Sequence, residues 1–293
     1  MTNRSKSINV FLMDGEPSGR IKCTLANWTG IAYKIPRTDL EKCKDRDDLS
    51  QSGAYFLFGN SDDQPNLPTV YIGQAGLRKN GEGILYRLQE HKRNPDKDYW
   101  TEAVVFTTSN NSFGPTEISY LENRFYNIAT EAKRYIVKNN NDPAIGHVTE
   151  EKKSELEEFI DYAKIVMGTL GHMVFEPLLQ TPSTHTLESG TAVTDGQIFY
   201  ITRTNANAKC RLTNEGIVVL TGSVIRKDFV PSCPDSVKTL RKDNKNNIDK
   251  DYTLLKDILF KTPSGASSFV LGASSNGNIE WKTEDGRMLK DVE

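Results

Sequence analysis

The amino-acid sequence predicts an α+β fold built from short strands and amphipathic helices. Three apolar runs are rich in aromatic and β-branched residues and are bounded by turn-forming residues, which is typical of short strands. They read GAYFLFG from Gly53, VYIGQAG from Val70 and AVVFTT from Ala103. Apolar residues with a helical period mark the segments 83–92, 116–138 and 149–167. The chain after residue 194 changes to a meander of further apolar runs, which indicates a second α+β region.

The bulk composition is that of a globular protein. The 293 residues suit roughly two domains, with 37% hydrophobic and 26% charged residues. Because the net charge is only −2, a nucleic-acid site has to be a local basic patch or to use a metal ion. Four scattered cysteines and no signal-like start predict a cytoplasmic location. The longest apolar-leaning run, Ile165–Phe175, is too short to span a bilayer, so no membrane partner is expected.

The chain divides into four predicted segments. Residues 1–50 form a β-rich N-terminal extension, in which 8–37 supply two or three strands that pack on the next domain. Residues 51–180 form the central domain. The Ser-, Thr- and Gly-rich stretch 181–194 is a linker, and 195–293 form an accessory domain.

Within the accessory domain, two helices are predicted. The segment DYTLLKDILF, residues 251–260, has the pattern of a short amphipathic helix. A second helix begins after Pro263 and is capped by Ser264.

Side-chain alternation and helical spacing bring polar residues next to the predicted core. Tyr55 and Leu57 share one strand face, and Phe56 and Phe58 the other. Arg87 and His91 are four residues apart and lie on one helix face.

In the next helix, Glu122 sits beside Leu121 and at helical spacing from Ile118 and Phe125. It is therefore expected at the rim of the packed face.

These residues resemble the GIY-YIG nuclease family. Gly53-Ala54-Tyr55 and Tyr71-Ile72-Gly73 match the paired motif, with Ala54 in place of the usual isoleucine. Arg87, His91 and Glu122 follow in the family's order, and Asn139 is the asparagine that closes the module. The long spacer between the two motifs is similar to that of the restriction-enzyme branch.

The resemblance implies a fold and a chemistry. The fold would be a small three-stranded antiparallel sheet flanked by helices. The reaction would be metal-dependent hydrolysis of DNA phosphodiester bonds, in a restriction, defence or repair setting. Glu122 would hold Mg²⁺ or Mn²⁺, because a hard cation needs only one or two carboxylates beside water and phosphate oxygens. Arg87 would neutralise phosphate charge, and either Tyr55 or His91 would be the general base, with Tyr71 alongside.

Each of these residues also fits a structural role. Tyr55 and Tyr71 are ordinary aromatic residues for half-buried strands, and Arg87 with Glu122 would make a structural ion pair. A catalytically weak DNA-binding module, or a nuclease of RNA or single-stranded DNA, is therefore kept as an alternative.

Cations near the motifs and in the C-terminal region are candidates for phosphate contacts. The first group is Arg78, Lys79, Lys92 and Arg93, and the second is Arg226, Lys227, Arg241 and Lys242. The alternative for both groups is an ordinary solvated surface.

The C-terminal residues resemble a domain of unknown function, DUF4357, that is often found behind GIY-YIG modules. The matching positions are Phe260, Pro263-Ser264, Ala266-Ser267-Ser268, Gly277 and Trp281-Lys282. More weakly, they are similar to restriction-and-methylase-associated domains thought to touch DNA.

Overall fold

A computed structural model describes residues 5–60, 67–179 and 196–292. The chain divides into two compact units, Met1–Pro177 and Leu178–Glu293. We call them unit 1 and unit 2. The predicted linker, 181–194, lies outside the described residues. Within the described parts of the chain, every helix is too short or too polar to cross a membrane.

The described residues of unit 1 form seven strands and three α-helices. The strands are β1 (Ile8–Leu12), β2 (Ile21–Leu25), β3 (Gly30–Pro36), β4 (Gly53–Asn60), β5 (Pro68–Ala75), β6 (Trp100–Thr108) and β7 (Ile136–Val137). The helices are α1 (Ile84–Arg93), α2 (Pro115–Ala132) and α3 (Glu150–Thr169). Short 3₁₀ helices occupy Arg37–Cys43, Asp47–Ser50 and Pro95–Lys97.

The expected three-stranded sheet is wrong in size, because the strands of unit 1 form one seven-stranded sheet. Its order is β1-β2-β3-β6-β4-β5-β7, antiparallel except for the β5–β7 pair. The predicted strands are β4, β5 and β6, but β3 pairs with the other edge of β6, from Gly30 opposite Thr108 to Pro36 opposite Glu102. An unpaired β6 edge would leave backbone N–H and C=O groups without partners, and β3 satisfies them. Residues 8–36 therefore extend the central sheet.

The two faces of this sheet bury different helices, as the alternation in β4 predicts. Phe56 and Phe58 pack with α2 and α3 in one core. Tyr55 and Leu57 belong to a second core with α1 and the 3₁₀ helices. Helix α2 ends at Ala132, earlier than expected, because Lys133 adopts a left-handed conformation with φ 54°.

Unit 2 is a second α+β body. Its strands are β8 (Ile198–Arg203), β9 (Ala206–Thr213), β10 (Gly216–Val219) and β11 (Ile258–Phe260), in the antiparallel order β11-β10-β9-β8. Its α-helices are α4 (Asp235–Asp243), α5 (Pro263–Leu271) and α6 (Gly277–Glu280). Further 3₁₀ helices occupy Lys245–Asn247 and Leu289–Asp291. The core of unit 2 contains Phe199, Ile217, Phe260, Phe269 and Trp281.

Two local predictions in unit 2 are corrected by the structure. The segment 251–260 is not helical, and its end forms β11 because Phe260 pairs with Ile217 at the free edge of β10. Helix α5 is capped by Thr262, whose side chain accepts a hydrogen bond from the backbone N–H of Gly265 at 3.1 Å.

Candidate active site in unit 1

Tyr55 lies at the centre of the candidate site and depends on a glycine in the neighbouring strand. It is directly opposite Gly73 in the β4–β5 pair. A Cβ atom on residue 73 would lie 2.4 Å from the Tyr55 hydroxyl oxygen, so any side chain there would displace the ring. Gly73 therefore gives the tyrosine ring its position against β5.

The Tyr55 hydroxyl contacts His91 directly. Its oxygen lies 2.6 Å from Nε2 of His91, and only 1% of Tyr55 and 3% of His91 are exposed. The Tyr71 ring lies beside both, with its centroid 6.3 Å from Tyr55 and 5.3 Å from His91. Strands β4 and β5 and helix α1 thus bring three predicted site residues into one cluster.

Burial sets the protonation states in this cluster. It raises the pKa of Tyr55, and the neighbouring Tyr71 raises that pKa further, while Arg87 opposes the shift. Burial lowers the pKa of His91 to about 3, and the positive charges of Lys97 and Arg87 add to the effect. At neutral pH the phenol is therefore protonated and the imidazole is neutral.

Arg87 lies one helical turn before His91 and is half-buried. Its Nη1 lies 2.7 Å from Oε2 of Glu90, and the same carboxylate lies 2.9 Å from Nη1 of Arg78. If the role of Arg87 were structural, it was expected to form an ion pair with Glu122. In the structure, Arg87 pairs with Glu90 on α1. Glu90 is shared between two arginines, so Arg87 does not have this carboxylate to itself.

Lys97 is a site residue that the motif pattern did not identify. Its Nζ lies 3.4 Å from the centroid of the Tyr71 ring, in a cation–π contact. Burial lowers the pKa of Lys97 to about 8, and the Arg87 charge adds to this shift. Lys97 ends the 3₁₀ helix Pro95–Lys97, whose start is held by the Asn94 side chain accepting from the Asp96 N–H at 2.9 Å. An Asn-Pro start to a turn was the available sequence signal.

Glu122 reaches the site from α2. Its Oε2 accepts a hydrogen bond from Nε2 of Gln74 at 2.9 Å, and Gln74 follows Gly73 in β5. Burial raises the pKa of Glu122, although Gln74 and the Arg87 charge oppose the shift. Burial raises the pKa of Tyr71, and the negative charge of Glu122 raises it further. The carboxylate therefore lies within electrostatic range of the tyrosine pair.

Asn139 supports the strand and makes its contacts away from the tyrosine hydroxyls. Its Oδ1 accepts from the Ile72 N–H at 3.1 Å, and its Nδ2 donates to the Ile72 carbonyl at 2.7 Å. The backbone of Lys138 donates to Val70 at 2.8 Å just before it. The asparagine thus continues the pairing of β7 with β5 by means of a side chain, and it fixes the strand that carries Tyr71.

The fit to a metal ion depends on Glu122. Among residues 5–60, 67–179 and 196–292, no cluster of three or more His, Cys, Asp or Glu is arranged to hold a cation. A hard dication needs less, because one carboxylate with water and phosphate oxygens suffices. Glu122 fits that minimum, since burial already disfavours its charge and a cation would compensate it.

The first group of predicted phosphate-binding cations lies on the surface around α1. Lys79 and Arg93 are exposed, and Lys92 is half-buried. Arg78 is exposed and is paired with Glu90 and Glu82.

The second group, in unit 2, is divided. Lys227 and Lys242 are exposed, and Arg226 is half-exposed. Arg241 is only 7% exposed, and its guanidinium donates to the backbone carbonyls of Arg226, Phe269 and Val270. These bonds occupy the group inside unit 2, so Arg241 is removed from the predicted phosphate-binding residues and is a structural residue.

Comparison with known families identifies the C-terminal region. A family model described as a domain of unknown function, DUF4357, matches residues 199–293. The match confirms the resemblance that the sequence of this region predicts. No curated protein and no solved structure matches the chain.

Proposed function

We propose that unit 1 is a metal-dependent endonuclease of the GIY-YIG type, acting on the phosphodiester bonds of DNA. The observation that carries the proposal is the buried hydrogen bond of 2.6 Å between Tyr55 and His91. Around it, Tyr71, Arg87 and Glu122 converge from separate elements, as expected from the motif order. A purely structural tyrosine has no need of a neutral histidine together with two adjacent cations.

Tyr55 and His91 act as one proton-accepting pair in this proposal. The Tyr55 oxygen orients the attacking water and takes a proton from it, while the phenol proton passes to Nε2 of His91. The hydroxide oxygen then bonds to phosphorus, the bond to the leaving oxygen breaks, and that oxygen takes a proton from solvent. Because the pKa of His91 is low, the imidazole is unprotonated at neutral pH, so Nε2 has a free lone pair for the phenol hydrogen.

Arg87 and Lys97 stabilise the charge that develops on the phosphate oxygens. Arg87 offers a fork of donors, and Lys97 offers an ammonium above the Tyr71 ring. Both cations lie next to His91, whose pKa they lower, so they are placed on the proton-accepting side of the site.

Glu122 and, through its hydrogen bond, Gln74 would hold a Mg²⁺ or Mn²⁺ ion. The ion would supply Lewis-acid stabilisation of the negative charge that develops during cleavage. The contribution of the chain is a single carboxylate, fixed by Gln74 at 2.9 Å.

A nicking assay tests the proposal. Purified full-length protein is incubated with supercoiled plasmid in Mg²⁺, in Mn²⁺ and in EDTA, beside single-stranded DNA and RNA of the same sequence. We expect nicked and linear plasmid only with a divalent cation, and a loss of cleavage in Tyr55→Phe. Uncut nucleic acid under all these conditions, with a folded protein that binds DNA, would favour the catalytically weak binding module instead.

A further inference from the structure

Unit 2 contains a basic cleft, and the residues that line it belong to unit 2 alone. Its volume is about 530 Å³, within the range of pockets that take small-molecule-sized groups. Its lining includes five lysines, which are Lys227, Lys238, Lys242, Lys245 and Lys250. Five lysines therefore face one aspartate around a floor that is partly apolar.

Most of these lysines are available to a ligand. In the described part of the chain, no carboxylate lies at ion-pair distance from Lys227, Lys242, Lys245 or Lys250, whereas Lys238 is paired with Asp235 at 2.8 Å. The one acid of the lining, Asp249, accepts two hydrogen bonds from backbone N–H groups of its own turn, each at 2.8 Å. The cleft thus presents uncompensated positive charge.

Phe229 lines the cleft together with these lysines and offers a flat aromatic ring. The ring is 41% exposed, which is unusual for a phenylalanine, and the buried Arg241 guanidinium lies 4.8 Å from its centroid. Gly272 holds the adjacent backbone, because its carbonyl accepts from the Val230 N–H at 3.0 Å. Arg241 therefore fixes one face of the ring while the residue stays open to solvent.

We propose that this cleft binds an unpaired stretch of nucleic acid, with one base stacked on Phe229 and the flanking phosphates on the lysines. Lysines that lack a carboxylate partner recognise phosphates without reading sequence. A flat aromatic face is useful only to a base whose own face is free, and in a duplex those faces are covered by stacking. The combination favours a single strand over a double helix and over an acidic peptide.

The inference supplies a binding site for the nucleic acid in the proposed function but does not depend on cleavage. Binding is measured in EDTA, where the proposed metal-dependent reaction cannot proceed. A failure of the nicking assay would leave this inference standing, and a failure of the binding assay would leave the proposed active site untouched.

The first test uses fluorescence anisotropy with the full-length protein and a labelled 12-nucleotide single strand. Phe229→Leu should weaken binding roughly tenfold, whereas Phe229→Tyr should keep it, because a phenol ring also stacks. Phe11→Leu, at a 53% exposed phenylalanine of unit 1, is the matched control and should change nothing. An oligonucleotide of the same length with abasic sites should bind wild type and Phe229→Leu equally.

The second test removes charge. The double variant Lys242→Ala/Lys245→Ala should bind more weakly and lower the slope of log affinity against log salt by roughly 0.7 per lysine. The double variant Lys261→Ala/Lys290→Ala, at exposed lysines outside the cleft lining, should keep the wild-type slope.

Three results would overturn the inference. The first is a Phe229→Leu protein that binds the single strand as wild type does. The second is a Phe229→Leu protein that loses as much affinity for the abasic strand or for the duplex as it loses for the intact single strand. The third is polyglutamate competing as well as the unlabelled single strand, which would show that the cleft attracts any polyanion.

Discussion

Arg87 in unit 1 and Arg241 in unit 2 differ in burial and in hydrogen-bonding partners. Arg87, in unit 1, is half-buried and forms an ion pair of 2.7 Å with a carboxylate, Glu90, that it shares with Arg78. Arg241, in unit 2, is nearly fully buried, and its nitrogens donate to backbone carbonyls, one of them the Arg226 carbonyl at 2.6 Å. The first guanidinium can exchange partners when a phosphate arrives, but the second cannot without breaking its unit.

The contrast shows that the role of a basic residue depends on which acceptors its N–H groups bind. Burial lowers the pKa of Arg241 to about 10, and Cys233 and Tyr252 oppose this shift only in part. Burial also lowers the pKa of Arg87, but the interactions with Glu90 and Tyr55 raise this pKa by more. The net result is a raised pKa. A residue for phosphate binding keeps mobile partners, and a structural one is tied to the backbone.

Within the comparison of the two arginines, the largest expected effect is on cleavage by Arg87→Ala. The loss of a charge-stabilising donor beside the proposed reaction centre should reduce the cleavage rate about 10²- to 10³-fold and weaken DNA binding. The free energy of unfolding should change little, because the Glu90 carboxylate keeps Arg78. Lys153→Ala, at an exposed position of helix α3, is the control and should cut at close to the wild-type rate. Equal rates for the two variants would remove Arg87 from the site.

Arg241→Met should change the stability of unit 2, whereas Arg87→Ala should change the cleavage rate. Methionine keeps much of the apolar stem but removes four hydrogen bonds to three backbone carbonyls, so unit 2 should lose about 4 kcal/mol of stability, at roughly 1 kcal/mol per bond. Urea unfolding measures this loss, and the exposed neighbour Lys242→Met is the control. Unchanged stability of Arg241→Met would show that the buried bonds contribute nothing.

A smaller effect is expected from His91 on stability as pH falls. Its pKa is about 3 in the folded protein and near 6.5 when exposed, so the unfolded chain binds a proton that the folded chain refuses. The stabilisation is complete above pH 6.5 and is lost progressively as the pH falls toward 3. Between pH 7 and 5 the wild type should lose about 2 kcal/mol more than His91→Gln. Parallel pH profiles of the two proteins would contradict the buried neutral imidazole.

Local features of the fold could be predicted from the sequence. Glycine-bounded aromatic runs identified β4 and β5, and alternation placed Tyr55 and Phe56 on opposite faces of the sheet. The helical period of 149–167 identified α3, which spans Glu150–Thr169. Each of these depends on residues within one helix or one strand, where spacing carries the information.

Features that depend on distant partners could not be predicted in the same way. The pairing of β3 with β6 joins segments about seventy residues apart, and the helical pattern of 251–260 yields to the free edge of β10. The position of Lys97 over Tyr71 and the burial of Arg241 arise only once the elements pack. For the candidate site, the motif order gave the residues, whereas the contacts of Gln74, Lys97 and Glu90 required the fold.

Metal-dependent cleavage by Glu122→Gln tests the central claim most directly. Glutamine keeps the size, the helix propensity and a hydrogen bond to Gln74, but it removes the negative charge that a hard dication requires. Plasmid cleavage in Mg²⁺ should fall on the order of 10³-fold or more, with DNA binding in EDTA unchanged or tighter. Glu131→Gln, at an exposed position near the end of the same helix, should cut as wild type does. A folded Glu122→Gln protein that cuts at the wild-type rate would contradict the proposed nuclease site.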